Sequence, residues 1–231
     1  MSKRAIILAG GLGTRLKPYT LTMPKPLVPV GHTPILEIII QQLVKYGFNH
    51  ITITINHMAD MIKDYFGDGS KWKIKIDYSL ESKPLSTIGP LSLISDLPEY
   101  FLIMNGDVLT DLDYAKFYDF HINSGNIYTI SSYQREQMND YGVLYINNNN
   151  LLVDFKEKPK TILNVSMGVY MASKRLIDHI PNNKKYGFDD LMKDLIKKNE
   201  KINVKKHNGY WLDIGRPDDY ERACQDVLKI I

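Results

Sequence analysis

Short apolar segments alternate with segments of helical length over the first 125 residues of this 231-residue chain. Residues 5–9, 50–55, 73–80 and 100–104 have the composition of strands. Helices are predicted over residues 34–47, 59–66, 87–97 and 114–123, with Thr33 as the first N-cap and Pro34 as the first helical residue. Because parallel strands need long crossover connections, this alternation predicts a mostly parallel sheet flanked by helices.

The second half of the chain is less regular. Strands are predicted over residues 126–133, 143–146, 151–155, 165–172 and 202–206, and helices over 174–180, 188–199 and 218–231. Residues 147–150 are four asparagines, which tolerate left-handed backbone and predict the turn of a hairpin. We therefore expect one α/β domain over residues 1–231, with a smaller antiparallel lobe inserted late in the chain.

The composition excludes several classes of protein. Lys and Arg number 29 against 26 Asp and Glu, and the net charge of +3 is too small for a basic surface that binds nucleic acid. No apolar run approaches the ~18 residues of a membrane helix, and the run after Arg4 is shorter than the ~7 residues of a signal peptide. The single cysteine, Cys224, cannot form an intrachain disulfide. We expect a cytoplasmic protein, mature from Met1, without nucleic-acid or membrane partners.

A glycine-rich segment directly follows the first predicted strand and reads Leu8-Ala9-Gly10-Gly11-Leu12-Gly13-Thr14-Arg15-Leu16. Glycine lets backbone amides approach phosphate oxygens closely, and Arg15 adds a planar, permanently charged donor. The segment is not the dinucleotide-binding fingerprint, since Leu16 stands at the third glycine position, and no Gly-Lys-Ser/Thr of a P-loop follows. These residues alone predict either a phosphate site or a structural turn.

Lys25 lies between two prolines in Met23-Pro24-Lys25-Pro26-Leu27. The prolines stiffen the backbone and fix the direction of the amine. A lysine in a loop is usually solvated, but the rigid flanks and the nearby Arg15 favour a contact with phosphate.

Two carboxylates are candidates for a metal site. Asp107 ends Asn105-Gly106-Asp107 after an apolar strand, and ligands of open α/β sheets bind outside the carboxyl ends of strands. A simple turn is the alternative for these three residues. Asp213 lies between apolar neighbours in Trp211-Leu212-Asp213-Ile214-Gly215, where a carboxylate is seldom left unpaired. Mg²⁺ takes one or two carboxylates together with water and phosphate oxygens.

Asp111-Leu112-Asp113 is a rival metal motif, because Asp-x-Asp also occurs in nucleotide-sugar-dependent glycosyltransferases. Asp113 is equally well placed to cap the helix predicted from Tyr114, and we favour that interpretation. The six histidines show no metal-binding spacing, and no Gly-x-Ser-x-Gly nucleophile motif occurs.

The glycine-rich segment together with Pro24-Lys25-Pro26 resembles the signature of the sugar-1-phosphate nucleotidyltransferase family, and the resemblance covers nearly the whole chain. It implies a Rossmann-like sheet and an antiparallel lobe for the sugar. It implies that Arg15, Lys25 and Asp107 are catalytic and that Asp107 and Asp213 bind Mg²⁺. Only the resemblance joins these two distant carboxylates. The implied nucleotide-binding residues of the loop region are Leu8, Ala9, Gly10, Gly11, Gly13, Thr14, Arg15 and Lys25.

The same resemblance identifies residues for the sugar phosphate. Glu157-Lys158-Pro159 is similar to the family motif in which the glutamate accepts from sugar hydroxyls and the lysine meets the phosphate. Tyr141-Gly142-Val143 resembles the segment whose backbone meets the sugar. The implied sugar-phosphate-binding residues are Asn105, Gly142, Glu157, Lys158, Asn164 and Gly168.

The segment from Glu81 to Leu91 resembles the base-reading segment of guanylyl-transferring members, with Glu81, Pro84, Thr87 and Gly89 as binding residues. An ionised Glu81 only accepts hydrogen bonds, and the Watson–Crick edge of guanine offers two donors where uracil and thymine offer one. This favours GTP, although Glu81 capping the following turn is an alternative. Ser86 replaces a family glycine and Ile88 an alanine, and both add bulk beside the base.

The sequence thus predicts a Mg²⁺-dependent transfer of a nucleotidyl group from GTP to a mannose- or heptose-type 1-phosphate. Uridylyl, thymidylyl or cytidylyl transfer, including transfer to phosphocholine, is open within the same fold. A glycosyltransferase using Asp111 and Asp113 and a non-catalytic nucleotide sensor are the rivals outside it. Because little sequence follows Gly215, we expect a minimal catalytic domain without a β-helix or acyltransferase domain. The sequence leaves the oligomeric state open, with a homodimer as one option.

Overall fold

The computed structural model describes residues 2–226. Within them the chain forms thirteen strands. In chain order these are β1 (Lys3–Leu8), β2 (Pro29–Val30), β3 (Thr33–Pro34), β4 (Phe48–Ile55), β5 (Lys75–Leu80), β6 (Tyr100–Asn105), β7 (Val108–Thr110), β8 (Tyr128–Met138), β9 (Val143–Ile146), β10 (Leu152–Lys156), β11 (Lys160–Ser173), β12 (Ile202–His207) and β13 (Trp211–Asp213).

The α-helices of the described residues flank the sheet. They are α1 (Ile35–Lys45), α2 (Ala59–Phe66), α3 (Tyr114–Ser124), α4 (Phe188–Lys197) and α5 (Pro217–Asp226). Single turns of 3₁₀-helix lie in the connections, at Thr14–Leu16, Tyr19–Leu21, Lys25–Leu27, Ser70–Trp72, Gly89–Leu93 and Lys174–His179.

Seven strands form the central sheet in the order β12-β8-β11-β6-β1-β4-β5. β1 pairs in parallel with β4 and with β6, β4 pairs in parallel with β5, and β12 pairs in parallel with β8. The central parallel strands β1 and β6 are rich in buried apolar residues, and Ala5, Ile6 and Ile7 of β1 are fully buried because helices cover both faces. The predicted mostly parallel, Rossmann-like α/β sheet is confirmed.

β11 runs antiparallel to both β6 and β8 and extends beyond the sheet with β8. The extension of β8 and β11 reaches the pair Lys160 and Met138. The connection between these two strands contains the antiparallel hairpin of β9 and β10. The predicted small antiparallel lobe is therefore present. Both long strands exceed their predicted bounds, because their outer halves are exposed and mix polar with apolar residues.

Several local predictions were wrong. The helix predicted over residues 87–97 is only the 3₁₀ turn Gly89–Leu93, since Gly89 and Pro90 disfavour a regular helix. Thr33 and Pro34 form the strand β3, and α1 begins at Ile35 without a side-chain cap. The helix predicted over 174–180 is a 3₁₀ helix, and α5 includes Pro217 as its first residue. The last part of the helix predicted over 218–231 lies outside the described residues.

A short pairing that the sequence did not predict positions the site. β13 runs antiparallel to β7, with Trp211 opposite Thr110 and Asp213 opposite Val108. The backbone N–H of Ile214 donates to the carbonyl of Asp107 at 3.0 Å. This pairing joins the end of the chain to the carboxyl end of β6.

Among the described residues, no helix is both long and apolar enough to cross a membrane.

Candidate active site

The glycine loop begins where β1 ends between its two parallel neighbours. The N–H of Ala9 donates to the carbonyl of Thr54 at 3.0 Å, and the N–H of Gly106 donates to the carbonyl of Leu8 at 2.9 Å. Gly13 adopts a left-handed φ of 61°, a conformation that favours glycine. Its carbonyl accepts from Thr20 Oγ1 at 2.8 Å, which holds the loop in its fold.

The loop leaves backbone donors open to the cleft above it. Within residues 2–226, the N–H groups of Gly11, Leu12 and Gly13 donate to no protein acceptor. A run of free N–H groups beside a cation is the arrangement that binds phosphate. The cleft has a volume of about 350 Å³ and is lined by Leu8, Ala9, Gly11, Leu12, Gly13, Thr14, Arg15, Lys25, Pro26, Gly106, Asp107 and Gly215.

Lys25 reaches across this cleft to Asp107. Its Nζ forms an ion pair with Asp107 Oδ2, although the two residues lie 82 positions apart. The Lys25 side chain is 11% exposed and that of Asp107 is 22% exposed, so the pair sits in the wall of the cleft. Pro24 precedes the 3₁₀ turn Lys25–Leu27 and Pro26 lies within it, so both prolines restrict the backbone that directs the amine.

Asp213 completes a charged group with Asp107, Lys25 and Arg15. The Asp213 side chain opens onto solvent, but the surrounding walls withdraw much of its hydration. Burial, together with the negative charge of Asp107, raises the pKa of Asp213 while Lys25 and Arg15 oppose the shift, and the resulting pKa is about 6. The structure thus brings together the two carboxylates that the sequence could join only by resemblance.

These two carboxylates fit a magnesium ion. Asp107 Oδ1 is buried and has no partner among the described residues, so it is free to bind a cation. No group of three or more His, Cys, Asp or Glu in residues 2–226 could hold a metal by itself. Mg²⁺ is the divalent ion that suits such a site, because it takes one or two carboxylates and completes its shell with water and phosphate oxygens.

A second cleft of about 350 Å³ lies on the other side of the loop. Its lining includes Gly10, Thr54, Asn56, Glu81, Pro84, Ser86, Thr87, Pro90, Asn105 and Asp107. Thr54 and Asn56 were missed by sequence reasoning, because a threonine inside a strand and an asparagine just after it carry no motif. Thr54 Oγ1 is buried without a partner in the described chain.

Glu81 lies at the back of this second cleft and is 7% exposed. The N–H of Leu85 donates to Glu81 Oε2 at 3.1 Å. Burial raises the pKa of Glu81, and the hydrogen bond from Leu85 opposes that shift. A Cβ on Gly10 would overlap Glu81 Oε1, so glycine is needed there for the loop to pass the carboxylate. The turn-capping role and the position in the cleft therefore coexist.

Two neighbours of Glu81 show how the backbone shapes this region. Gly89 does not line the cleft; it lies beneath it, and its N–H donates to the carbonyl of Tyr186 at 2.9 Å. A Cβ there would meet the carbonyl oxygen of Lys184 at 2.7 Å. Ser86 has a left-handed φ of 67°, which explains why a glycine suits this position.

The sugar-phosphate residues divide into two sets. Gly168 lies in an irregular stretch of β11, where a Cβ would meet Asn105 Nδ2 at 2.7 Å, and Asn105 lines the second cleft. Gly142 and Glu157 lie close together on the antiparallel lobe, since a Cβ on Gly142 would lie 3.0 Å from Glu157 Oε2. Glu157, Lys158, Gly142 and Asn164 line neither cleft. Their roles stay predictions.

The rival metal motif has other partners. Asp111 Oδ1 accepts from the N–H of Tyr210 at 2.7 Å and lies 2.7 Å from His207 Nε2. Asp113 caps α3 by accepting from the N–H of Lys116 at 2.9 Å, as the capping interpretation predicts. Both carboxylates hold the fold, and neither lines the two clefts.

Comparison with known proteins identifies the family of this chain. The model of the family described as nucleotidyl transferase matches residues 4–230. The chain belongs to this nucleotidyl transferase family.

Individual relatives show the range of the family around this chain. A UTP–glucose-1-phosphate uridylyltransferase of Synechocystis sp. is 31% identical over 98% of this chain and 63% of its own length. A mannose-1-phosphate guanylyltransferase catalytic subunit beta of Dictyostelium discoideum is 32% identical over 94% of this chain and 62% of its own. The chain therefore spans less than two thirds of these curated relatives.

One solved structure aligns with this chain over almost the full length of both proteins. The crystal structure of HddC from Yersinia pseudotuberculosis complexed with GMP-PN has a TM-score of 0.75 and 29% identity, over 97% of this chain and 99% of that chain. The two chains therefore share this fold over nearly their whole length.

Proposed function

We propose that this protein transfers a nucleotidyl group from a nucleoside triphosphate to a sugar 1-phosphate, releasing pyrophosphate. The observation that carries the proposal is the Lys25–Asp107 pair with Asp213 beside it, set at the mouth of a loop with free N–H groups. Family membership and the names of the relatives support the same reaction class.

The chemistry needs positioning and charge neutralisation more than proton transfer. The acceptor phosphate is already an anion at neutral pH, so its oxygen attacks the α-phosphorus without a general base. One P–O bond forms there as the bond to the β-phosphate breaks, and the leaving pyrophosphate takes the electron pair. Lys25 and the loop N–H groups hold the α- and β-phosphates, and Arg15 neutralises charge on the leaving group.

Asp107 and Asp213 would hold Mg²⁺, which when bound supplies positive charge against the phosphates. Lys25 already neutralises one oxygen of Asp107, so the other oxygen and Asp213 remain for the ion.

For the substrates we propose GTP and a mannose- or heptose-type 1-phosphate. The carboxylate of Glu81 in the second cleft supports guanine, because it can accept from both donors of the base edge. The named guanylyltransferase relative and the GMP-PN complex support the same base. The uridylyltransferase relative makes UTP the competing donor.

A matrix of five nucleoside triphosphates against a panel of sugar 1-phosphates, read by pyrophosphate release, tests this proposal. We expect the highest kcat/KM with GTP, and pyrophosphate release from the Lys25→Ala variant that is about 10²–10³-fold slower than from the wild type. Release of a nucleoside diphosphate from nucleotide sugars, without pyrophosphate release, would instead identify a glycosyltransferase.

A further inference from the structure

A further pocket adjoins the glycine-loop cleft on the far side of Arg15. It has a volume of about 410 Å³, and its wall residues come from β8, β13 and α5. We call it the arginine pocket, because four of its lining residues are arginines: Arg15, Arg135, Arg216 and Arg222.

The arginine pocket contains two carboxylates against its four arginines. Asp219 Oδ2 accepts from the N–H of Arg216 at 3.0 Å and from that of Gly215 at 3.3 Å, which caps the start of α5. Asp213 is the second carboxylate, and it belongs to the charged group with Asp107.

Three of the four guanidinium groups make no ion pair or hydrogen bond with the part of the chain that the structure describes. Within residues 2–226, the side chains of Arg15, Arg135 and Arg216 form no ion pair or hydrogen bond. Arg222 Nε lies 3.6 Å from Asp226 Oδ2. Like charges gathered in one pocket repel each other, and a bound anion removes that repulsion.

The position of Arg15 indicates which anion fits. Arg15 and Gly215 line both the glycine-loop cleft and the arginine pocket, so the two cavities adjoin at these residues. A phosphate chain that started over the loop N–H groups and extended past Arg15 would enter this pocket. Several guanidinium forks, each able to bind two oxygens, suit two linked phosphates better than one.

The aromatic side chains of the pocket, Trp211 and Tyr133, offer no free hydrogen-bond donor from the indole to a sugar ring. Trp211 Nε1 already donates to the carbonyl of Met167 at 2.9 Å, and its ring packs at 5.3 Å on Tyr133. The free donors of the pocket are therefore guanidinium groups, which favour phosphate oxygens.

We propose that the arginine pocket binds a diphosphate group, namely the terminal phosphates of the nucleoside triphosphate, which leave from there as pyrophosphate. This inference rests on the proposed function. It assigns Arg135 and Arg216 to the leaving-group side of the reaction, a role that the glycine-loop motif does not include.

Calorimetric titration of the full chain with inorganic pyrophosphate tests the proposal directly. The buffer contains EDTA, so that no metal ion contributes to binding. We expect Arg135→Gln and Arg216→Gln each to raise the Kd by about tenfold, the loss expected for one charge-assisted contact. Arg175→Gln is the matched control, because Arg175 is an exposed arginine whose Nη2 donates to the carbonyl of Gly125, on another part of the surface. That variant should bind pyrophosphate as the wild type does.

Two further titrations separate the sources of the diphosphate. The two arginine variants should bind a nucleoside triphosphate more weakly than the wild type does, and they should bind a nucleoside monophosphate with unchanged affinity. In the reverse reaction, they should raise the KM for pyrophosphate about tenfold and leave that for the nucleotide sugar unchanged. Pyrophosphate binding unaltered in both variants, or a changed KM for sugar phosphate instead, would overturn the proposal. Because calorimetry needs no turnover, an inactive enzyme that still binds pyrophosphate through these arginines would refute the proposed function alone.

Discussion

Lys25 Nζ is ion-paired with Asp107 Oδ2 and joins the proline-flanked turn to the end of β6. The pair places a cation and an anion on one wall of a cleft whose floor is a row of backbone N–H groups. When a polyanionic substrate enters, Lys25 can turn its charge toward phosphate while Asp107 retains a free oxygen for a cation. We therefore expect Lys25 and Asp107 to take part in substrate binding as well as to pair with each other.

Replacing Lys25 by alanine should lower turnover by about 10²–10³-fold, the scale observed when a preorganised donor to a transition state is removed. Steady-state pyrophosphate release measures the effect. Lys17→Ala is the control, since Lys17 is exposed and lies just beyond the loop. Turnover of Lys25→Ala within threefold of the wild type would remove this lysine from the mechanism.

Asp107→Asn should give a folded protein without Mg²⁺-dependent turnover, because the amide keeps the shape and loses the charge that holds the ion. The measurement is activity across a Mg²⁺ titration, with the thermal midpoint as a check on folding. Asp111→Asn is the contrasting variant, since Asp111 accepts from Tyr210 outside the clefts. Asp111→Asn should keep the Mg²⁺ dependence of the wild type. Loss of that dependence in Asp111→Asn but not in Asp107→Asn would mean that the metal binds at the Asp111 motif.

Much of the fold could be predicted, because buried strands and crossover helices leave regular apolar patterns in the sequence. The failures were local. The stretch over residues 87–97 has helical spacing, but its Gly89 and Pro90 give a single 3₁₀ turn that is tied to Tyr186. β7 and β13 span three residues each, too short to show a period, and only their pairing brings Asp213 to Asp107.

The site was predictable where its residues are adjacent in the chain. The glycine loop and Lys25 form one continuous segment that carries its own chemistry. The arginine pocket does not, because Arg135, Arg216 and Arg222 come from a strand, a turn and a helix that meet only in the fold. Thr54 likewise resembles any threonine within a strand until its position at the cleft is seen.

Glu81→Gln should lower the preference for GTP over UTP by about 1–3 kcal/mol, since the amide presents one donor and one acceptor to a base edge with two donors. The ratio of kcat/KM values for the two nucleotides gives this difference. Glu99→Gln, at an exposed position, serves as control. A wild type that uses CTP, UTP or dTTP better than GTP would contradict the base assignment and leave the reaction class intact.

Ser86→Gly should stabilise the protein by up to about 1 kcal/mol, because it relieves a left-handed backbone that costs a residue with a Cβ about 1–2 kcal/mol. Ser86 has a φ of 67°. Urea unfolding measures the change. Ser95→Gly is the matched control without a positive φ, and it should be neutral or destabilising. Equal effects of the two variants would mean that the left-handed backbone of Ser86 does not lower the free energy of unfolding.

His121 makes stability depend on pH. It is fully buried on α3, and its Nδ1 lies 2.8 Å from Thr129 Oγ1. Burial lowers the pKa of His121 to about 4. The histidine has a pKa near 6.5 in the unfolded chain. Between about pH 4 and pH 6.5, the unfolded chain therefore binds a proton at His121 and the folded chain does not. Stability from this group is complete above about pH 6.5 and is lost as the pH falls toward 4.

We therefore expect the free energy of unfolding to fall by at most about 2 kcal/mol between pH 7 and pH 5 through His121. His121→Asn keeps a polar atom near the Nδ1 position facing Thr129 and cannot titrate in this range. Urea unfolding of both proteins at each pH gives the comparison, and only the difference in their pH slopes matters, because the smaller side chain also leaves a cavity. The other histidines contribute equally to both proteins and cancel. Parallel slopes would mean that His121 is protonated in the folded protein or that its ring reaches water.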